Sequence, residues 1–176
     1  MSARFLTRVQ QQVALDTRFI VRASLYAALY AALTLAPGLT LVAYGQGQFR
    51  ASECLLAFAC FDLAAVPGLF VGTAIANLRS QMGIADVVFG SLLTLLAAAV
   101  MWYLGARLIA FIVPVVVNGF GVGAELALVS HFPFWPSVGL VSLGEAGVMV
   151  ILGLPVFYLV RNHGSLFGMT IRKREE

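Results

Sequence analysis

The chain has 176 residues, of which 61% are hydrophobic and only 11% are charged, with a net charge of +3. A soluble domain is about half apolar and about a quarter charged, so this composition excludes a water-soluble fold. A membrane span takes about 20 residues, so about six spans fill the chain and exclude an added ATPase domain, a soluble enzyme on an anchor or a nucleic-acid-binding module. In such a protein the basic residues mostly set orientation in the membrane.

The first half of the chain contains one clear apolar run and one ambiguous block. Residues 1–17 form a leader that is either a short amphipathic helix in the membrane interface or disordered. A first span is predicted over residues 19–35 and ends before Pro37. Residues 54–78 form either one long span or a hairpin of two short spans, with Pro67 and the following glycine as the turn.

The second half of the chain contains three longer apolar runs. Two spans are predicted over residues 87–104 and Leu108–Val129. The aromatic, proline-rich stretch SHFPFWPS predicts a turn, and the last span follows over residues 138–160. We therefore place the membrane domain at residues 18–161 and a charged cytoplasmic tail at residues 162–176.

The basic residues decide between five and six spans, because cytoplasmic loops carry the excess of Lys and Arg. If the amino end is cytoplasmic and residues 54–78 are a hairpin, only Arg50 and Arg79 lie outside. The basic residues inside are Arg4, Arg8, Arg18, Arg22, Arg107, Arg161, Arg172, Lys173 and Arg174. Five spans would remove this bias. The sequence predicts an all-α integral membrane protein with six transmembrane helices, short second and third helices, and both termini cytoplasmic.

Polar side chains gather near the outer face in this topology. A carboxylate at the centre of a span costs about 2.5–3.5 kcal/mol, so such residues usually face a cavity or a partner. Glu125 and Glu145 lie at similar depth on consecutive antiparallel spans and can face one cavity. The alternative is a structural pair that hydrogen-bonds to the backbone or to Asn118. Together with Glu53 and Asp86 they outnumber the outer arginines, which favours a cationic ligand or one rich in N–H donors.

No catalytic or metal centre is predicted. The sequence lacks a Gly-rich phosphate loop, an HExxH motif and a Ser/His/Asp set, so no cofactor is expected either. Cys54 and Cys60 point in different directions on a helix and cannot form a metal or redox pair there. We expect both to be small buried residues.

Small residues form two stripes on the first span. Alanines at a spacing of four allow close helix approach in lipid. They favour either packing within the chain or contact with a different subunit. The stripes contain Ala23, Ala27 and Ala31, and the neighbouring Ala28 and Ala32.

Six segments between Ser24 and Pro155 together resemble, in this order, the QueT-type family of substrate-binding (S) components of energy-coupling factor (ECF) transporters. They are YAALYAALTLAPG, YGQGQFRASE, AVPGLFVGTAIAN, DVVFGSLLTLLAA, PVVVNGFGVGAEL and SVGLVSLGEAGVMVILGLP. The resemblance implies a non-enzymatic six-helix protein of the bacterial cell membrane. It would capture a queuosine precursor, a 7-deazaguanine such as the aminomethyl form or queuine, at the extracellular face for ATP-driven uptake.

The resemblance also implies partners and a docking surface. The partners would be a transmembrane coupling subunit and two cytoplasmic ABC ATPases. The docking surface for the coupling subunit would be one of the two alanine stripes on the first span.

Such a ligand allows roles to be assigned to the outer polar residues. Carboxylates accept charge-assisted hydrogen bonds from a guanidine-like edge or an amine, which makes Glu145 and Glu125 the candidates, in either order. Glu53 either joins them or pairs with Arg50. Trp135 either stacks on the ligand or belongs to the aromatic belt of the membrane interface. Candidates for the ring carbonyl and ring nitrogens are Gln48, Arg50, Asn77 and Asn118.

Three alternatives stay open at this point. The chain could be an S component for a different vitamin or purine-like compound. It could be an intramembrane enzyme with Glu125 and Glu145 as an acid/base pair, although no nucleophile or phosphate clamp accompanies them. It could be a solitary proton-coupled carrier, although repeat symmetry and midplane sites are not evident.

Overall fold

The computed structural model describes residues 17–36, 38–39, 43–44 and 47–164, and these residues form an all-helical bundle. The predicted leader, apart from Thr17, and residues 165–176 of the tail lie outside the described residues. The α-helices are α1 (Thr17–Leu35), α2 (Leu56–Ala59), α3 (Ala65–Asn77), α4 (Ile84–Leu104), α5 (Ile112–Val129), α6 (Phe134–Val148) and α7 (Leu154–His163). Short 3₁₀ helices, Ala51–Leu55 and Leu108–Phe111, precede α2 and α5, and a π-helical segment, Met149–Gly153, joins α6 to α7.

Four helical stretches of the described chain are long and apolar enough to cross a membrane. They are Thr17–Leu35, Ile84–Leu104, Leu108–Val129 and Phe134–His163. Helix α3 is apolar but shorter. Length and composition thus support a membrane-embedded helical protein, as the sequence predicts.

The last helix begins earlier than predicted. Phe134 and Trp135 already lie in the first turn of α6, so the turn before it is confined to residues 130–133. Pro136 is compatible with this position because the first N–H groups of a helix have no partner in the helix. The prediction of a turn across the whole SHFPFWPS stretch is therefore wrong at its carboxyl half.

Residues 54–78 contain two helical segments separated by a turn, but the predicted position of this turn at Pro67 and Gly68 is wrong. The helices are separated at residues 60–64, and Pro67 lies in the first turn of α3. Proline is tolerated in a first helical turn for the same reason as Pro136. The turn is instead stabilised by Asp62, whose Oδ1 accepts a hydrogen bond from the backbone N–H of Ala64 at 3.0 Å.

Residues 52–60, which we call the buried segment, are all buried. The segment packs against α1, α3, α4, α6 and α7. Irregular or broken helices are tolerated at membrane depth only where protein surrounds them. Enclosure by the longer helices therefore explains how two short helical pieces can lie in an apolar bundle. It also buries Cys54 and Cys60, both of which are free thiols, as predicted.

Helix α1 holds the turn that follows the buried segment. The hydroxyl of Tyr26 donates a hydrogen bond of 3.1 Å to Oδ2 of Asp62. Nε of Arg22 lies 3.5 Å from the same oxygen. Because Asp62 is buried, these contacts with a donor and a cation offset the loss of its hydration.

Helices α1 and α3 approach closely through small residues. A Cβ atom added to Gly68 would lie 2.5 Å from the carbonyl oxygen of Ala23, and one added to Gly72 would lie 2.8 Å from that of Ala27. The stripe of Ala23, Ala27 and Ala31 therefore faces inward, and Ala27 is buried. Ala23 and Ala27 contact α3 within this chain, which agrees with the alternative of packing within the chain for this stripe. Ala28 and Ala32 are exposed.

The α1–α3 contact can be tested with Gly72→Ala. The added methyl group has to displace the backbone of α1, and overpacking of this kind typically costs about 1–3 kcal/mol. We expect a lower melting temperature for the purified protein in detergent. Gly139→Ala is the matched control, because nothing lies within 4 Å of its added Cβ. Equal melting temperatures for the two variants would contradict the close approach.

Candidate functional site

A polar pocket lies between residues 48–53 and helices α4, α5 and α6. Its walls are Gln48, Arg50, Glu53, Gly90, Thr94, Asn118, Val122, Val141 and Glu145. Five of the eight predicted binding residues therefore meet at one place, namely Gln48, Arg50, Glu53, Asn118 and Glu145. Their meeting requires the buried segment to place Glu53 opposite the two long helices that carry Asn118 and Glu145.

The pocket is narrow. A volume of about 10 Å³ is open to the centre of a water molecule, so the cavity has room for about one water. A bicyclic base fits only after the walls move apart. Residues 48–50 are not helical, so this wall can move without breaking the hydrogen bonds of a helix.

Arg50 is the cation of the pocket and is buried. Its Nη2 donates a long hydrogen bond to Oε1 of Gln48 and its Nε donates one to the carbonyl of Ala43, both at 3.4 Å. Its Nη1 lies 4.0 Å from Oε1 of Glu53. The guanidinium also lies over the ring of Tyr44, 5.3 Å from the centroid. Arg50 thereby connects the first loop to the pocket and partly neutralises Glu53.

Tyr44 fixes the other end of this loop. Its hydroxyl donates a 2.7 Å hydrogen bond to the carbonyl of Ala76, near the end of α3. Burial raises the pKa of the Tyr44 hydroxyl, so the group keeps its proton and remains a donor at neutral pH.

Helix α1 supports the acidic wall from behind. The Tyr30 hydroxyl donates a hydrogen bond to Oε1 of Glu53, and the hydroxyls of Thr34 and Ser52 lie 2.6 Å apart. Tyr30 was not predicted from the sequence as a residue that supports the pocket. The available signal was the spacing of Tyr26, Tyr30 and Thr34, which places three hydroxyl groups on one face of an otherwise apolar helix.

Three polar atoms of the pocket have no hydrogen-bond partner among the described residues. They are Nε2 of Gln48, Oε2 of Glu53 and Oε1 of Glu145. The side chain of Asn118 hydrogen-bonds to Glu145 and holds that carboxylate in place. The pocket therefore offers two carboxylate acceptors and one amide donor. This arrangement suits a small ligand that has several N–H groups and a carbonyl oxygen.

The other three predicted binding residues do not line the pocket. Asn77 and Glu125 are buried at neighbouring helix ends. Trp135 is 71% exposed and makes an edge contact with Phe134, with ring centroids 5.0 Å apart. This exposed position agrees with the aromatic-belt alternative for Trp135.

Four residues of the pocket wall were not found from sequence. They are Gly90, Thr94, Val122 and Val141. Three of them are apolar residues within apolar spans, which carry no signal of a site. Thr94 is polar, but threonine hydroxyls in helices often bond to the preceding turn, as Thr94 does to the carbonyl of Gly90 at 3.2 Å.

The bundle and its pocket define a class of protein, a membrane-embedded helical protein with a small buried polar pocket. Comparison with known sequences supplies the family. The profile of the QueT transporter family matches residues 20–162. The queuosine precursor transporter QueT of Lactococcus lactis subsp. cremoris (strain MG1363) is 32% identical over 146 residues, which cover 75% of this chain and 86% of that protein. No solved structure matches.

The chain therefore belongs to the QueT transporter family, which confirms the resemblance found in the sequence. Membership of this family supports a role as a transporter of a queuosine precursor rather than as an enzyme.

Proposed function

We propose that this protein is the S component of an ECF importer and that it captures a 7-deazaguanine, the base of queuosine precursors. The observation that carries the proposal is the convergence on one pocket of polar atoms of Gln48, Glu53 and Glu145 that have no hydrogen-bond partner among the described residues. The Lactococcus relative is named as a queuosine precursor transporter, which supports this class of substrate.

The donor and acceptor pattern of the pocket complements such a base. The guanidine-like edge of a 7-deazaguanine presents adjacent N–H donors, which a carboxylate accepts in charge-assisted pairs. Glu145 is assigned to this edge because Asn118 orients it. The Nε2 group of Gln48 is assigned to the ring carbonyl. Glu53 is assigned to a remaining N–H donor, because Tyr30 and Arg50 already engage its other oxygen.

The assignment of Glu145 can be tested with Glu145→Gln. The amide keeps the shape but accepts at only one atom, and hydrogen bonds to charged groups contribute about 1.5–3 kcal/mol. We expect at least about a tenfold loss of affinity for 7-aminomethyl-7-deazaguanine, measured by titration calorimetry on the purified chain in detergent.

Asp62→Asn is the matched control for Glu145→Gln. It makes the same carboxylate-to-amide change at a buried residue that does not line the pocket. It is expected to lower stability and to leave the affinity unchanged. If Glu145→Gln binds the base as tightly as the parent does, Glu145 is not a ligand-binding residue.

Energy for uptake is proposed to come from partner subunits. The residues that the structure describes form mainly apolar helices and no nucleotide-binding domain. A coupling subunit would dock on the exposed small residues Ala28 and Ala32 of α1. Helix α1 also bonds to Glu53 through Tyr30, so movement of α1 can reach the pocket.

Reconstitution tests this dependence. In liposomes, the chain with a coupling subunit, two ABC ATPases and ATP is expected to take up the radiolabelled base, whereas the chain alone is not. Ala28→Leu is expected to reduce uptake about tenfold or more with unchanged affinity, because a larger side chain blocks close helix approach. Ala106→Leu, at an exposed loop residue, is the control. Uptake by the chain alone would support a solitary carrier instead.

The proposed topology has six crossings of the bacterial plasma membrane, with both termini in the cytoplasm. It is supported by the basic residues, which then lie mostly inside. Residues 79–83 would face outward and residues 105–107 inward. In whole cells, a membrane-impermeant thiol reagent is expected to label Gln81→Cys and to leave Ala106→Cys unlabelled until the cells are opened. The reverse pattern would contradict the orientation. The native cysteines are buried, and the parent chain provides the background control.

A further inference from the structure

A second group of buried polar side chains lies next to the pocket. Asn77 is the last residue of α3, Asp86 lies in the first turn of α4, and Glu125 lies near the end of α5. Their side chains are 0%, 1% and 5% exposed, respectively. Asn77 hydrogen-bonds to Asp86, and Asp86 interacts electrostatically with Glu125. We call these three residues the acidic cluster.

Gly90 connects the acidic cluster to the pocket. Nδ2 of Asn77 donates to the backbone carbonyl of Asp86 at 2.8 Å and to its Oδ1 at 3.1 Å. A Cβ added to Gly90 would lie 2.6 Å from that Nδ2 and would collide with Oδ1 of Asp86. Gly90 is also a wall of the pocket. The cluster and the pocket are therefore separated by a residue that has no side chain.

The cluster presents acceptors that nothing in the described chain satisfies. Oδ1 of Asn77, Oδ2 of Asp86 and both carboxylate oxygens of Glu125 are buried and have no hydrogen-bond partner among the described residues. Glu125 makes no side-chain hydrogen bond there at all. Burial of a polar group without a partner costs about 1–3 kcal/mol, and a charged group costs more.

The charges near the cluster do not balance. Asp86 and Glu125 interact electrostatically with each other and with Arg50. Arg50 is already engaged by Gln48, Glu53 and the ring of Tyr44. Asp86 lies at the N-terminus of α4, the helix end that attracts acidic side chains, whereas Glu125 lies toward a helix C-terminus, where it has no such support. A cation with several N–H donors would satisfy both the charge and the orphaned acceptors.

We propose that Asn77, Asp86 and Glu125 form a subsite for a primary ammonium group carried by the ligand. The inference rests on the proposed function, because it assigns a substituent of the base held in the pocket. An ammonium group has three N–H donors, and the cluster supplies an amide oxygen and two carboxylates to accept them. The pocket then recognises the ring and the acidic cluster recognises the substituent, so the protein selects an aminomethyl base over one with a neutral substituent.

Two bases that share one ring test the subsite. Affinities for 7-aminomethyl-7-deazaguanine and 7-cyano-7-deazaguanine are measured by titration calorimetry on the parent, Asp86→Asn and Glu125→Gln. The parent is expected to prefer the aminomethyl base. Each variant is expected to lose about tenfold or more in affinity for that base and less than about twofold for the cyano base. Because Glu125 makes no side-chain hydrogen bond to the described residues, Glu125→Gln is expected to fold with a melting temperature equal to or above that of the parent.

Any other outcome contradicts the proposed subsite. Equal losses for both bases mean that the cluster only supports the pocket, and no loss for either means that it holds a proton. If the parent binds both bases without preference, the subsite fails and the proposed function stands. If the parent binds neither base, both fail. Repeating the titrations with sodium replaced by N-methylglucamine tests for an inorganic cation. A sodium requirement shared by both bases and lost in the variants would assign the cluster to sodium.

Discussion

The polar side chains of the buried segment have to find partners inside the protein, because the longer helices enclose it. Oε1 of Glu53 is engaged by Tyr30 and Arg50, and the hydroxyl of Ser52 is engaged by Thr34. Asp62, just after the segment, is held by Tyr26 and Arg22. Helix α1 therefore supplies partners at both ends of the segment. The position of the pocket follows from this constraint, since these contacts use Oε1 of Glu53 and leave its Oε2 without a partner among the described residues at the pocket wall.

The buried polar side chains form two groups, the pocket and the acidic cluster, which differ in the hydrogen-bonding atoms they offer. The pocket has acceptors, an amide donor and a fixed cation, so it can read a pattern of hydrogen bonds. The atoms of the acidic cluster that have no partner among the described residues are all acceptors, so the cluster can bind a cationic group. In an apolar bundle both kinds of group are expensive to bury. Their concentration on one side of the buried segment is more consistent with ligand recognition than with packing, because packing is already provided by the small residues of α1 and α3.

The sequence predicted the long apolar helices correctly, but it predicted only some of the contacts between them. Long apolar runs identify helices α1, α4, α5 and α6 because hydropathy is a property of the run itself. Pro67 misled the prediction because proline begins a helix as readily as it marks a turn. Five of the binding residues that were predicted from their depth in the membrane do line one pocket. Depth could not separate Glu125 from Glu145, since that distinction depends on which helix faces each side chain. Tyr30 was missed because a tyrosine in an apolar run is indistinguishable from a lipid-facing aromatic.

The size of the pocket has a kinetic consequence. Residues 48–50 lie directly on α6, where the carbonyl of Gln48 approaches Gly144 so closely that a Cβ could not fit. A base of two fused rings can enter only after this wall has separated from α6. Association then contains a unimolecular opening step, so the observed rate levels off at high ligand concentration instead of rising to the diffusion limit. The same closed wall slows the escape of a bound ligand.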